Sequence, residues 1–449
     1  MTRRSPAGPA RLPAPTALKA PTALKALTAL TALLLVAACS APVTTPGTDP
    51  VTTAPPGASA SGTPAGTSTP TAGTTTSPTG HPADASATGI GLTPPYARTG
   101  AGDLTTTARA ARSLVYVPDQ VAGLLQVIDP RTARVVSTRR VPASPEHVVP
   151  SWDLTRLWVN SDKGNALTPI DPRTGTVGRP VAVRDPYNLY FTPDGRYALV
   201  MASRFRAIDV RDAHTMRLVR SLPVPACAGV NHADFTADLH TFVASCEFSG
   251  RLLVVDASAT HVEKVIDLNH VHTPGATPPM GPGSMAGPRN GLQQGATAMP
   301  QDVRLTPDGR WFMVADMLRN GVWFLDARTF RLGPFVHTGL GAHGIYPSRD
   351  ASRVFVSNRD AGSITVFDAT TNRPVATWKL PGHATPDMGG VSADGSRLWL
   401  SGRYSAEVYV IDTTTGRLLH RIPVGAGPHG LLVWPQPGRF SLGHTGNMR

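Results

Sequence analysis

From residue 114 onward the chain is a succession of short runs of Val, Ile, Leu, Phe and Tyr, each stopped by a polar turn rich in Asp, Gly, Thr or Pro. Runs of that kind, bounded by turn formers, predict β-strands joined by tight turns. The turns themselves recur. One phrase, an apolar run ending in Asp, appears as VIDPRTARV at Asp129, PIDPRTGTV at Asp171, VRDAHTMRL at Asp212 and VVDASATHV at Asp256. It returns as FLDARTFRL at Asp326, VFDATTNRP at Asp368 and VIDTTTGRL at Asp412, with spacings of 42, 41, 44, 70, 42 and 44 residues. A second phrase interleaves with it at Asp153, Asp194, Asp238, Asp308, Asp350 and Asp394, with spacings of 41, 44, 70, 42 and 44. Both phrases take their one long step at the same place, so the pattern is a true internal repeat. The Asp residues have a sufficient structural role, since their side chains accept from nearby backbone N–H groups and fix the turn.

Each period holds about four apolar runs, the content of a four-stranded antiparallel sheet, and units of this size stacked radially make a β-propeller. The predicted fold is all-β, with seven blades. The first unit starts at Leu114-Val115-Tyr116-Val117 with no strand ahead of it, and an orphan run, Gly430-Leu431-Leu432-Val433-Trp434, follows the last unit. Giving the orphan run to the first unit closes the ring and leaves no open sheet edge. The propeller is placed at residues 96–437, with an insertion at 269–299 and a C-terminal tail at 438–449.

At this point two segments, LVYVPDQVAGLLQVIDPRTARVV and VFVSNRDAGSITVFDATTNRPVATWKLPG, resemble the YVTN family of β-propeller repeats. The resemblance covers roughly residues 113–434. It departs from the family pattern at the insertion and at Arg204-Phe205-Arg206, which replaces the usual polar loop.

The N-terminus has a different character. Arg3, Arg4, Arg11, Lys19 and Lys25 form a basic leader, and the apolar stretch Ala26 to Ala38 is too short to span a bilayer but suits a signal h-region. Val36-Ala37-Ala38-Cys39 resembles a bacterial lipobox, which implies a signal peptide at 1–38 and a lipid anchor on Cys39. Residues 39–95 are almost entirely Thr, Pro, Ala, Gly and Ser. With nothing large and apolar to bury, they are expected to be a disordered tether. The expected location is extracytoplasmic, on the cell membrane.

Composition adjusts this picture in two ways. Charged residues make up 16% of the chain, and Gly and Pro number 43 and 44, which disfavours a helical bundle. Loss of the leader lowers the net charge from +12 to +7 with no basic run left, so nucleic acid is not an expected partner. Cys227 and Cys246 flank the turn at Ala237-Asp238 almost symmetrically. That register makes them neighbours across two antiparallel strands, and export favours a disulfide between them.

The family geometry implies that the strand after each blade junction lines a central channel. Counting six and seven residues back from each Asp of the second phrase selects Glu146-His147, Tyr187-Asn188, Asn231-His232, Gln301-Asp302, His343-Gly344 and Asp387-Met388, and the closing strand adds His429-Gly430. Glu146, His147, Asn188, His232, Asp302, His343, Asp387 and His429 are therefore the candidate ligand-binding residues at the channel mouth. His147, His232, His343 and His429 are also candidate metal ligands, as are His270 and His272 of the insertion, where Met280 and Met285 add thioethers. Imidazoles from separate blades can bind a metal or act as acid and base, and mixed His and Met favour copper.

Three functions follow. The first is a monomeric, non-catalytic envelope lipoprotein that binds a small molecule, glycan or partner protein. The second is a copper or redox protein, for which the chain has no CxxCH haem motif. The third is a lyase or lactonase using Glu146, His147 and His232. No nucleophile elbow, phosphate loop or dinucleotide fingerprint is present.

Overall fold

The computed structural model describes residues 1–2, 95–273 and 291–449. The lipobox with Cys39, nearly all of the leader and tether, and the centre of the insertion with Met280 and Met285 lie outside the described residues. The described residues from 95 onward are all-β apart from short helical turns at Thr106–Arg109 and Ser203–Phe205.

Seven antiparallel sheets form, one per repeat. Six have four strands, and the second has a fifth because its outer strand is split into Thr176–Val177 and Val181–Ala182, both paired with Ala166–Asp171. The inner strands of blades two to seven are Pro145–Pro150, Pro186–Phe191, Val230–Phe235, Pro300–Leu305, Ala342–Pro347 and Pro386–Val391. Leu432–Trp434 supplies the inner strand of blade one, pairing Val433 with Val115 and Leu432 with Tyr116. Each inner strand neighbours those of the blades before and after it, so the ring closes. Burial falls outward: Pro145–Pro150 is wholly buried, whereas the outer strand Arg134–Arg140 is mostly exposed.

The repeat phrases do the work expected of them. All thirteen Asp residues accept a backbone N–H a few residues ahead, as Asp129 does from Arg131, Asp326 from Thr329 and Asp194 from Arg196. Between them lie seven apolar clusters, one at each blade–blade interface. The seam between blades seven and one packs Trp399, Val408 and Val410 against Val115, Val117 and Val433. Two faces of every blade are therefore dry, which explains why its strands read as near-continuous apolar runs.

Cys227 and Cys246 are joined by a disulfide, with Cα atoms 4.9 Å apart and a sequence separation of 19. Closing a loop of that size stabilises a fold by about 3 kcal/mol.

Asp119 sits at the same ring seam, fully buried beside Gly425, with neither carboxylate oxygen hydrogen-bonded to a side chain. Burial pushes its carboxyl up to about 7, partly offset by the Gly425 N–H. The folded state thus holds a proton that the unfolded chain releases near pH 4, and stability is lost as pH rises through 7. Asp119→Asn is expected to raise urea-unfolding stability at pH 8 by on the order of 2 kcal/mol and to change it little at pH 4. An equal effect at both pH values would show that this carboxyl is ionised in the fold.

The C-terminal tail does not leave the propeller. Residues 441–445 and 447–449 are buried, and Leu442 and Met448 join the clusters between blades three and four and between blades one and two. The tail runs along the inner strand of blade three, with Phe191 N–H donating to Leu442 O and His444 N–H to Leu189 O. It ends on Asp234 through the Arg449 guanidinium at 2.6 Å. Arg449 in turn lies over the Tyr96 ring, and Tyr96 donates to Leu305 O. These contacts fall at the far ends of the inner strands, so the tail and the segment around Tyr96 plug one end of the channel.

Candidate functional site

Every inner strand of blades two to seven carries a register shift at its start, between Pro145 and His147, Val230 and Ala233, Pro300 and Val303, Ala342 and Ile345, Pro386 and Gly389, and opposite Met201–Ala202 in blade three. A bulge breaks the alternation of side chains and re-aims them. Here it turns two consecutive residues per blade toward the axis, so both members of each counted pair reach the channel. All eight candidate ligand-binding residues are at most 2% exposed. They fall into two layers: Glu146, His343, Asp387 and His429 above, and His147, Asn188, His232 and Asp302 below.

Glu146, His343 and His429 of the upper layer floor a cavity of about 630 Å³ at the open end of the channel. One residue per blade also forms its rim: Gln120, Asp162, Ser203, Glu247, Met317, Arg359 and Arg403. Their spacings of 42, 41, 44, 70, 42 and 44 repeat those of the turn phrases. This ring was not among the sequence candidates, but the same period carried one hairpin further along would have found it. The feet of the blade-four insertion close beside it. Asn269 Oδ1 accepts from Thr297 and Ala298 N–H, Arg319 binds the Leu268 and Asn269 carbonyls, and Met299 lines the cavity.

On the floor, His429 Nδ1 is 2.9 Å from Glu146 Oε2, and its Nε2 is 3.6 Å from Asp387 Oδ2. Asp387 Oδ1 takes Arg359 at 2.5 Å and faces His343 Nδ1 at 3.0 Å. Arg403 Nη1 lies 3.6 Å from Glu146 and has no hydrogen-bond partner. Burial pushes Glu146 up to about 7 against the pull of Arg403, and burial together with nearby Arg359 and Arg403 holds His343 and His429 well below the usual imidazole range. A neutral imidazole against a carboxyl of that kind can pass a proton in either direction.

Beneath this floor the lower layer gains a member that sequence reasoning missed. His444, from the tail, stands with His147 and His232, ring centroids 5.3 and 4.7 Å away, and His147 also meets His429 at 4.8 Å. His147, His232 and His444 form one group spaced as metal ligands are, and His343, Asp387 and His429 form another. His270 and His272 are exposed and join neither group. No repeat position marks His444, since it lies beyond the last blade.

A family model described as a YNCE-like beta-propeller matches residues 90–265 and 295–438. No curated protein matches the chain by sequence. Among solved structures, hydrazine synthase of Kuenenia stuttgartiensis is similar, with 18% identity and a TM-score of 0.53 over 68% of this chain and 94% of that one. A functionally unknown protein of Desulfotomaculum acetoxidans aligns with 16% identity and a TM-score of 0.55, over 72% and 99%. At such identities the likeness is one of fold.

Proposed function

Starting from a chain that belongs to the YNCE-like beta-propeller family, we propose a lipid-anchored, extracytoplasmic binding protein whose cup takes a small ligand bearing a carboxylate or similar acid group. The observation that carries this reading is Arg403 Nη1 at the cup, which has no hydrogen-bond acceptor and only the longer ion pair to Glu146, next to Arg359 on the adjacent blade. A buried guanidinium nitrogen without an acceptor is costly, and a carboxylate is its natural complement. Asp162 and Glu247 lie on the other side of the rim, which suits a ligand with a cationic end, such as an amino acid or short peptide. A cavity of about 630 Å³ is of small-molecule size. The lipobox at Val36–Cys39 and the Thr/Pro-rich stretch after it supply the anchor and reach.

Calorimetry against a panel of small carboxylates, amino acids and dipeptides tests the reading. At least one acid-bearing compound should bind, and Arg403→Met should weaken it by about ten- to a hundredfold, the worth of a charge-assisted hydrogen bond. Binding unaffected by Arg403→Met, or no acid-bearing ligand at all, would sink the proposal. The anchor is tested alongside, because Cys39→Ser should move the protein from the membrane fraction to the medium. The Glu146–His429 pair favours a second reading, in which the cup turns its ligand over by acid–base chemistry. Product formation abolished by Glu146→Gln with binding retained would select that reading.

A further inference from the structure

The lower histidine layer is not needed to bind a ligand in the cup, and its geometry asks for a different occupant. His147, His232 and His444 are each fully buried, and in all three Nε2 lacks a hydrogen-bond partner. Buried polar nitrogens are nearly always paired, so three orphans in one group require an explanation. Nδ1 of His147 lies 2.9 Å from the Tyr187 carbonyl, an N–H donation that leaves the Nε2 lone pair bare. Such a contact to a backbone carbonyl is how proteins orient metal-binding imidazoles. Asp302 adds an oxygen: its Oδ2 accepts the Ile345 N–H, while Oδ1 stands 3.7 Å from His444 Nε2. That separation is too long for a hydrogen bond but suits two ligands each about 2.1 Å from one ion.

The delivery of His444 is a second, independent observation. It sits at a φ of 51°, in the left-handed region, within the turn Gly443-His444-Thr445-Gly446. A Cβ on Gly443 would meet Leu189 O at 2.4 Å, and one on Gly446 would meet Gln436 Oε1 at 2.2 Å. Only glycine fits at both flanks, so the turn can enter the channel and hold the imidazole there. A non-glycine residue in this conformation costs energy and persists where its surroundings over-determine it.

We propose that the C-terminal turn completes a transition-metal site, in which His147, His232 and His444 bind a late first-row divalent ion of the copper or zinc class with Asp302 beside it. Three imidazoles with a carboxylate suit these ions, and copper binds such donors most tightly. Nδ1 of both His232 and His444 faces the Asn188 amide, at 3.3 and 3.0 Å. In this structure its Nδ2 faces both rings and the Tyr190 hydroxyl, while Oδ1 accepts the Leu189 N–H. Turned over, at the cost of the Leu189 N–H contact, the amide offers its oxygen to two Nδ1–H groups, so each ring keeps one proton and its Nε2 lone pair is free for the ion. The upper group is the poorer cation site, because Asp387 already holds the Arg359 guanidinium and Arg403 stands nearby. At the lower group Asp302 and Asp234 face Arg304 and Arg449, and no cation lies on Asp302 Oδ1 among the described residues.

The test loads the tag-free chain with Cu(II) or Zn(II), desalts it, and measures metal by mass spectrometry, with electron paramagnetic resonance for copper. About one retained equivalent is expected, with nitrogen hyperfine structure in the copper spectrum. His444→Asn keeps a residue that tolerates the left-handed turn but removes the ligand, and should cut retention to below about a tenth. His147→Gln should do the same, whereas His343→Gln and Arg403→Met should retain the ion. Circular dichroism and the melting transition verify that each variant is folded. Failure of the unaltered chain to hold a stoichiometric ion overturns the proposal, as does full retention in folded His444→Asn. Because Arg403→Met disables the cup and not this site, the two proposals fail separately.

Discussion

A chain ending at residue 429 is expected not to fold as a closed propeller. The deletion removes Leu432–Trp434, the inner strand of blade one, and with it Leu431, Leu432, Val433 and Trp434, all buried in the clusters on either side of that blade. Each such side chain contributes roughly 1.5–3 kcal/mol when buried, so together they approach the whole net stability of about 5–15 kcal/mol. The loss also strands Leu114–Asp119 as an open edge at the ring seam. The cooperative urea transition seen by circular dichroism should disappear, and the protein should elute as soluble aggregate. A chain ending at residue 437 keeps the closing strand and should retain a cooperative but weaker transition. Equal behaviour of the two truncations would show that the tail, not the strand, closes the ring.

Arg359→Ala is expected to cost about 3–5 kcal/mol, because it leaves the carboxylate of Asp387 buried without its guanidinium. Asp387 is wholly buried and Arg359 is only 7% exposed at its side chain, so solvent does not screen the pair. The nearby imidazoles of His343 and His429 are held neutral by burial and cannot replace the lost charge. The shift should appear as a lower urea midpoint at unchanged slope. Adding Asp387→Asn to Arg359→Ala should recover part of the loss, since it removes the stranded charge. A single variant that costs less than about 1 kcal/mol, or a double variant that is simply additive, would show that the nearby Arg403 suffices to answer the Asp387 charge. The same variant should also weaken acid-bearing ligands in the cup.

How far the site could be read along the chain differs from residue to residue. Glu146, His147, His232, His343 and Asp387 were reachable because each stands six or seven residues before a turn-forming Asp, and the turn fixes where the strand begins, while His429 came from the closing strand. Their grouping into two layers was not reachable. It depends on bulges at the strand starts that turn neighbouring residues to the same side. Counting placed these residues at a mouth, whereas the fold buries them beneath one. Arg359 and Arg403 share the repeat period and were legible in principle, since a rim position recurs at the same spacing as the turns. His270 and His272 were expected over the mouth because the insertion leaves from a junction loop, but they lie exposed and join neither group of ligands.

Periodic local chemistry by itself determined the seven blades, the closing strand and the facing register of Cys227 and Cys246. Apolar runs of strand length and Asp-fixed turns act over a few residues, and a ring of identical steps has few other ways to close. Only the tertiary structure decided that the channel is blind, that Arg403 keeps an unanswered donor, and that His444 meets His147 and His232. The tail that plugs the channel carries no repeat. Its position comes from contacts with strands hundreds of residues away, where Leu442, Arg449 and the Gly443–Gly446 turn find apolar surface, a buried carboxylate and room for a backbone without side chains.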